Sequence, residues 1–95
     1  MLDKVKNALR VKTNVFDIEI SNLIEACKAD LSLAKIRVST SDPLIVRAII
    51  LYAKANFGYD SNAERYREVY KDLKCMLSLA EKYQRSEGYG WTENV

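Results

Sequence analysis

The chain has 95 residues, a formal net charge of +2 and no histidine. This length suffices for a single domain, and so small a charge does not indicate a nucleic-acid or membrane partner. The lack of histidine excludes every His-dependent catalytic set, and the two cysteines are too far apart in sequence to form a close-spaced metal-binding pair. We therefore expect no catalytic, cofactor-binding or metal-binding residues, and a protein that is not an enzyme.

The sequence argues against secretion and against membrane insertion. The first ten residues, MLDKVKNALR, lack a continuous apolar stretch of the signal-peptide kind. The longest apolar run, residues 45–53, is shorter than a bilayer requires and contains Arg47. Cys27 and Cys75 are predicted to be buried thiols in a reducing compartment.

Two helices are predicted before residue 35. Residues 2–10 place apolar side chains on one helical side, which indicates a short first helix that depends on tertiary contacts. A second helix is predicted to open at Asn14 or Asp17 and to run to about residue 34. Its apolar residues recur at intervals of three and four and form one buried stripe: Ile20, Leu23, Ile24, Cys27 and Leu31.

The next two segments are a linker and a central helix. Residues 36–41, IRVSTS, are β-branched and hydroxyl-rich, and they indicate an extended linker that could pair with another copy of the chain. Residues 42–58 are apolar on nearly every side, so the helix they form must be enclosed by its neighbours. Asp42 is the predicted N-cap, Pro43 suits the first helical position, and Gly58 suits a left-handed stop.

A last long helix is predicted over residues 62–84, opened by a capping box of Ser61 and Glu64. The residues expected to be buried in it are Tyr66, Val69, Tyr70, Leu73, Leu77 and Ala80. Three more apolar residues, Met76, Leu79 and Tyr83, widen this surface. They would either pack on the first helix or form a subunit contact.

The sequence thus predicts an all-α fold, a small four-helix domain over residues 1–85 with a buried central helix and a flexible C-terminal tail, residues 86–95. The tail, SEGYGWTENV, has no periodicity and is expected to be disordered in the isolated chain. Tyr89 and the only tryptophan, Trp91, lie in it. Such residues anchor interfaces when they find a pocket, so both are candidate partner-binding residues.

One alternative is a helix-turn-helix DNA-binding regulator, made of the central helix, a turn at residues 58–61 and a helix carrying Arg65 and Arg67. The leading helix is about twice as long as such motifs use. Glu64 and Glu68 flank the arginines with charge that phosphates repel, and the net charge is small. A general helical interaction module is a further alternative.

Four stretches of the sequence resemble one known family. They are LDKVKNALRV, FDIEISNLIEACKADL, DPLIVRAIILYAKANFGYD and AERYREVYKDLKCMLSLA, within residues 2–83. In this combination the chain resembles the small head-tail connector, or adaptor, proteins of long-tailed double-stranded-DNA bacteriophages and prophages, which are often described as DNA-packaging proteins.

This resemblance implies an all-α structural subunit of the virion, located at the head-tail junction and present in the host cytoplasm during assembly. Its partners would be its own copies, in a ring of about twelve, the portal protein above the ring and the next head-completion or tail protein below it. Double-stranded DNA would pass through the channel without sequence recognition. In such adaptors the C-terminal segment resembles a docking arm toward the portal, which gives Tyr89 and Trp91 a role. The family has no catalytic residues.

Overall fold

A computed structural model of the chain describes residues 1–58 and 60–84. Within them lie four α-helices, which we number α1 (Leu2–Leu9), α2 (Asp17–Leu33), α3 (Pro43–Asn56) and α4 (Ala63–Leu79), followed by a 3₁₀ turn at Glu81–Tyr83. This part of the chain contains no β-strand, only an isolated bridge between two residues. The predicted all-α, four-helix fold is therefore confirmed.

The third helix, α3, is the centre of the domain, and it contacts α1, α2 and α4. The residues of α3 that are buried are Ile45, Ala48, Ile49, Leu51, Ala53 and Ala55. Its start is as predicted, since the Asp42 carboxylate accepts a hydrogen bond of 2.9 Å from the Leu44 amide and Pro43 is the first helical residue. Gly58, just past its end, has the left-handed φ of 64° that the sequence predicts.

The first two helices pack on α3 and are joined through an ion pair. Lys6 of α1 lies 2.7 Å from the Asp17 carboxylate at the start of α2, and it also donates to the Asn14 side chain at 2.9 Å. Asn14 therefore binds Lys6 and is not the first residue of α2, which begins at Asp17. Four members of the predicted stripe are buried, Ile20, Ile24, Cys27 and Leu31, whereas Leu23 is half-buried.

The last helix starts where it was predicted, within one residue, but its predicted capping and its predicted end are wrong. The N-cap position is Asn62, no side chain caps it, and the Asp60 carboxylate accepts from the Asn62 amide at 2.8 Å, so the capping box of Ser61 and Glu64 does not form. At the other end α4 stops at Leu79, because Ala80 takes an extended conformation with ψ 121°. The chain then turns back toward the linker between α2 and α3.

The linker of residues 36–41 binds this returning segment. Ile36 is fully buried and forms an antiparallel bridge with Gln84, and the Arg37 amide donates to the Tyr83 carbonyl at 2.6 Å. The pairing that the linker makes among the described residues is thus within the chain and not with another copy. Tyr83 is buried by the turn, and its hydroxyl donates to Asp42 at 3.2 Å.

The burial of four further residues differs from the prediction. Val69 is 38% exposed and Cys75 is also exposed, whereas Tyr66 and Ala80 are half-buried. On α4 the side chains that enter the core are Tyr70, Leu73 and Leu77, spaced at three and four residues. Residues 69 and 75 lie off that stripe, and α1 packs against α2 and α3.

Candidate interaction surfaces

Titratable side chains converge at one place, between α2 and α4. The Tyr70 hydroxyl donates to the Asp30 carboxylate at 2.6 Å, Lys74 donates to the same carboxylate at 3.1 Å, and the Cys27 sulfur lies 3.7 Å from the Tyr70 oxygen. All four side chains are at least partly buried. This cluster joins the two helices around a single carboxylate.

The shifted pKa values of Tyr70, Cys27 and Asp30 leave each of these three groups in its ordinary protonation state at neutral pH. Burial, followed by the hydrogen bond to Asp30, raises the pKa of Tyr70 well above its usual value. Burial also raises the pKa of Cys27 to about 11, which leaves a neutral thiol and no nucleophile at neutral pH. Burial opposes ionisation of Asp30, but the hydrogen bonds from Tyr70 and Lys74 outweigh it and lower the pKa of that carboxyl. The arrangement suits a structural contact.

The two arginines of the possible DNA-reading helix have different environments. Arg67 donates to the Ala55 carbonyl at 3.1 Å, in the last turn of α3, and it pairs with Glu64. It therefore satisfies a carbonyl that the end of α3 leaves without a helical partner. Of the two arginines, Arg65 is exposed and Arg67 is half-buried. A helix with one of its two arginines already bound to the Ala55 carbonyl and to Glu64 is poorly suited to contact phosphates.

One exposed apolar surface lies beside the C-terminal end of α3. Val15 and Ile18 are each 79% exposed, and Phe16 is 40% exposed. The Phe16 ring packs edge-on against Phe57, which follows α3, with 5.4 Å between the ring centroids. We call Val15, Phe16 and Ile18 the Phe16 end. This surface was not predicted from the sequence, although Ile18 gives a signal, since it is apolar and lies off the buried stripe of α2.

A second exposed apolar surface lies where α2 and α4 end. Leu33 is 81%, Leu79 77% and Met76 58% exposed. We call Leu33, Met76 and Leu79 the Leu79 end. Of the three residues predicted to widen the apolar side of α4, Met76 and Leu79 remain uncovered, whereas Tyr83 is buried by the 3₁₀ turn.

These two surfaces lie at opposite ends of α3. Phe16 contacts Phe57 just after the last residue of α3, while Tyr83, four residues after Leu79, contacts Asp42 just before the first. A helix of 14 residues is about 21 Å long. The domain therefore presents two separate apolar surfaces of different composition.

The candidate binding residues named from sequence, Tyr89 and Trp91, lie outside the described residues. Within residues 1–58 and 60–84 no three or more Cys, Asp or Glu side chains cluster in a way that could hold a metal ion. No helix in the same part of the chain is long and apolar enough to cross a membrane.

Comparison with known proteins identifies the family. The family model described as phage connector protein matches residues 1–84, which includes all four helices and the 3₁₀ turn. Neither the curated proteins nor the solved structures contain a significant match. The family match gives no support to the DNA-binding alternative, and it implies a structural component of the virion. The chain belongs to the phage connector protein family.

Proposed function

We propose that this chain is the subunit of a ring that forms beneath the portal of the filled phage head, extends the DNA channel and links the head to the next head-completion or tail protein. The observation that carries the proposal is the family match over residues 1–84. Assembly would take place in the host cytoplasm, and the finished ring would stay at the head-tail junction.

The two apolar ends support ring formation. A closed ring of identical subunits needs two different surfaces on each subunit, one contacting the neighbour on each side. The Phe16 end and the Leu79 end are separate, exposed and different in composition. Uncovered apolar side chains grouped in this way are typical of protein interfaces. We propose that the Phe16 end of one subunit meets the Leu79 end of the next.

The proposed contact with DNA is non-specific. The chain has a net charge of only +2, and one of the two arginines on the first turns of α4 is bound to α3 and Glu64. DNA passing through the channel would meet scattered surface charge and no base-reading helix. A gel-shift experiment with the purified protein should show no preference for any DNA sequence. A sequence-specific shift would contradict the connector proposal and favour the helix-turn-helix alternative.

We further propose that the tail, residues 86–95, docks on the portal through Trp91 and Tyr89. Aromatic side chains of this kind supply much of the binding free energy of protein interfaces. Co-sedimentation with the portal protein should weaken at least tenfold in Trp91→Ala, and less in the matched control Thr92→Ala. Unchanged portal binding after deletion of residues 86–95 would refute this role of the tail.

A further inference from the structure

A groove runs along the face of α3 that the other helices leave uncovered. Residues 43, 46, 47, 50 and 54 recur at three and four residues and so share one side of the helix. Together with one residue of α4 they line a depression whose residues include Pro43, Val46, Arg47, Ile50, Lys54 and Tyr66. We call these six residues the α3 groove. Its walls are mostly apolar side chains that are only half-buried.

The described part of the chain ends at one mouth of this groove. Gln84 bridges Ile36, and Tyr83 contacts Asp42, the residue before α3. Tyr83 and Pro43 both line a neighbouring depression, and Pro43 also lines the α3 groove. The two depressions are therefore adjacent at Pro43, and a chain leaving Gln84 starts beside the groove.

The remaining residues are long enough to occupy the groove. From Pro43 to Lys54 the helix rises about 17 Å. An extended chain from Gln84 to Trp91 spans up to about 23 Å, so Trp91 can reach the level of Val46, Ile50 and Tyr66. Trp91 can thus reach the groove of its own molecule, and no second copy of the chain is needed to supply it.

The chemistry of the groove matches that of the tail. Two cations, Arg47 and Lys54, border the groove, and its lining contains no acid; Lys54 lies over the Tyr66 ring, 5.3 Å from the centroid. Asp42 lines the neighbouring depression that shares Pro43 with the groove, and Asp60 lines a third depression that shares Lys54 and Tyr66 with it. Residues 86–95 carry Glu87 and Glu93, no basic residue, and the aromatic pair Tyr89 and Trp91. An apolar groove with a cationic border is complementary to an acidic segment with aromatic anchors.

We infer that the α3 groove binds the chain's own tail, residues 86–95, with Trp91 seated against Val46, Ile50 and Tyr66. In the free subunit the tail then occupies the α3 groove. It leaves the groove and binds the portal when the ring assembles. This release step rests on the proposed portal contact, whereas the docking itself does not.

Methyl NMR spectra of the isolated full-length chain test the docking. In Trp91→Ala, loss of the indole ring current should shift the Val46 and Ile50 methyl resonances. The Val15 and Ile18 methyls, at the Phe16 end, are the internal control and should not move. Unchanged Val46 and Ile50 resonances would overturn the inference. A wild-type spectrum that approaches that of Trp91→Ala on dilution would also overturn it, since the occupant would then be the tail of a second copy.

Charge reversal tests the cationic border of the groove. Trp91 is the only tryptophan, so its fluorescence reports the tail alone. In the wild type we expect its emission to be blue-shifted from that of the urea-unfolded chain, and Arg47→Glu should remove most of this shift. The matched control is Lys71→Glu, an exposed site on α4 outside the groove, which should leave the emission unchanged. An equal response of both variants, or no response of Arg47→Glu, would contradict the assignment.

The two proposals fail separately. If portal protein does not bind the chain, the methyl shifts and the blue-shifted emission of the isolated chain still stand, and only the release step is lost. If the portal binds through the tail but the methyl resonances do not respond to Trp91→Ala, the groove assignment is wrong and the connector proposal is unaffected. Where both hold, adding portal should return the Val46 and Ile50 resonances to their positions in Trp91→Ala.

Discussion

At the scale of single residues, the two cysteines differ in burial because of the side of the helix on which each one lies. Cys27 is fully buried between α2 and its neighbours, and burial raises its pKa to about 11. Cys75 lies on the outer side of α4 and is exposed. Both cysteines were expected to be buried, because thiols are most often found inside proteins.

Thiol labelling of the native protein should therefore be biphasic. An aromatic disulfide reagent should modify one thiol at the rate of a free cysteine and the other at least a hundredfold more slowly, because the Cys27 sulfur is inaccessible and un-ionised. Cys75→Ser should remove the fast phase and Cys27→Ser the slow one. Two fast phases in the wild type would contradict the packing described for α2.

The hydroxyl of Tyr70 should contribute measurably to stability. Tyr70→Phe leaves the Asp30 carboxylate with one hydrogen-bond donor fewer, and we expect the free energy of unfolding to fall by about 1–2 kcal/mol. The matched control is Tyr66→Phe, whose hydroxyl makes no hydrogen bond to the residues that the structure describes; it should change stability by less than about 0.5 kcal/mol. Urea denaturation at neutral pH measures both.

The same tyrosine should make stability depend on alkaline pH. Its folded-state pKa is raised, so the folded protein holds the phenolic proton more tightly than the unfolded chain does. Its contribution is complete below the unfolded pKa, about 10, and is lost as the pH rises above it. Unfolding free energies measured between neutral pH and about 11 should fall more steeply for the wild type than for Tyr70→Phe. Parallel curves would contradict the burial of the Tyr70 hydroxyl, the main cause of its raised pKa, together with its hydrogen bond to Asp30.

At the scale of the elements, the stability of the domain depends on the enclosure of α3 by the other helices. Ile49 is fully buried, and truncating it to Ala should lower the free energy of unfolding by about 2–5 kcal/mol, because a cavity is left among the other helices. Leu79→Ala, at a side chain that is 77% exposed, should cost less than about 0.5 kcal/mol. Urea unfolding compares the two variants directly, and equal costs would contradict the fold.

The starts and ends of the helices show what the sequence could predict. Asp42 and Pro43 act locally, through a cap and a fixed φ, so the start of α3 could be predicted. Gly58 takes its predicted positive φ, but α3 already ends at Asn56, before the extended Phe57. The end of α4 could not be predicted. Residues 80–84 continue an apolar helical pattern, but they leave the helix to bury Tyr83 and to pair with residues 36 and 37, more than forty positions earlier in the chain. Such a contact has no local signal.

At the scale of the whole molecule, the candidate surfaces were only partly predictable. That the apolar side of α4 is wider than one stripe, with Met76 and Leu79 in it, was visible in the sequence. Whether α1 would cover these residues was not visible, because it depends on how three helices share the surface of a fourth; α1 packs on α2 and α3, and Met76 and Leu79 stay exposed. The Phe16 end was likewise not predicted, because its residues were interpreted as the start of a helix.

A pair of variants should separate the two proposed ring surfaces. Ile18→Asp alters the Phe16 end and Leu79→Asp the Leu79 end, both at sites exposed enough to leave the fold intact. Neither variant alone should form rings with the portal present. A mixture of the two should form discrete dimers through the one remaining pair of intact surfaces, as a head-to-tail interface requires. Native mass spectrometry distinguishes these species. Normal rings from either variant would exclude its end from the subunit contact.

The central claim is that this small helical domain acts through its surfaces, as one subunit of a connector ring on the portal. Electron microscopy of the full-length chain mixed with its portal protein tests this most directly. The account predicts a closed ring of copies of the chain, coaxial with the portal and continuing its channel. A portal that remains bare at saturating concentrations of the chain, or that binds isolated copies without closing a ring, would contradict it.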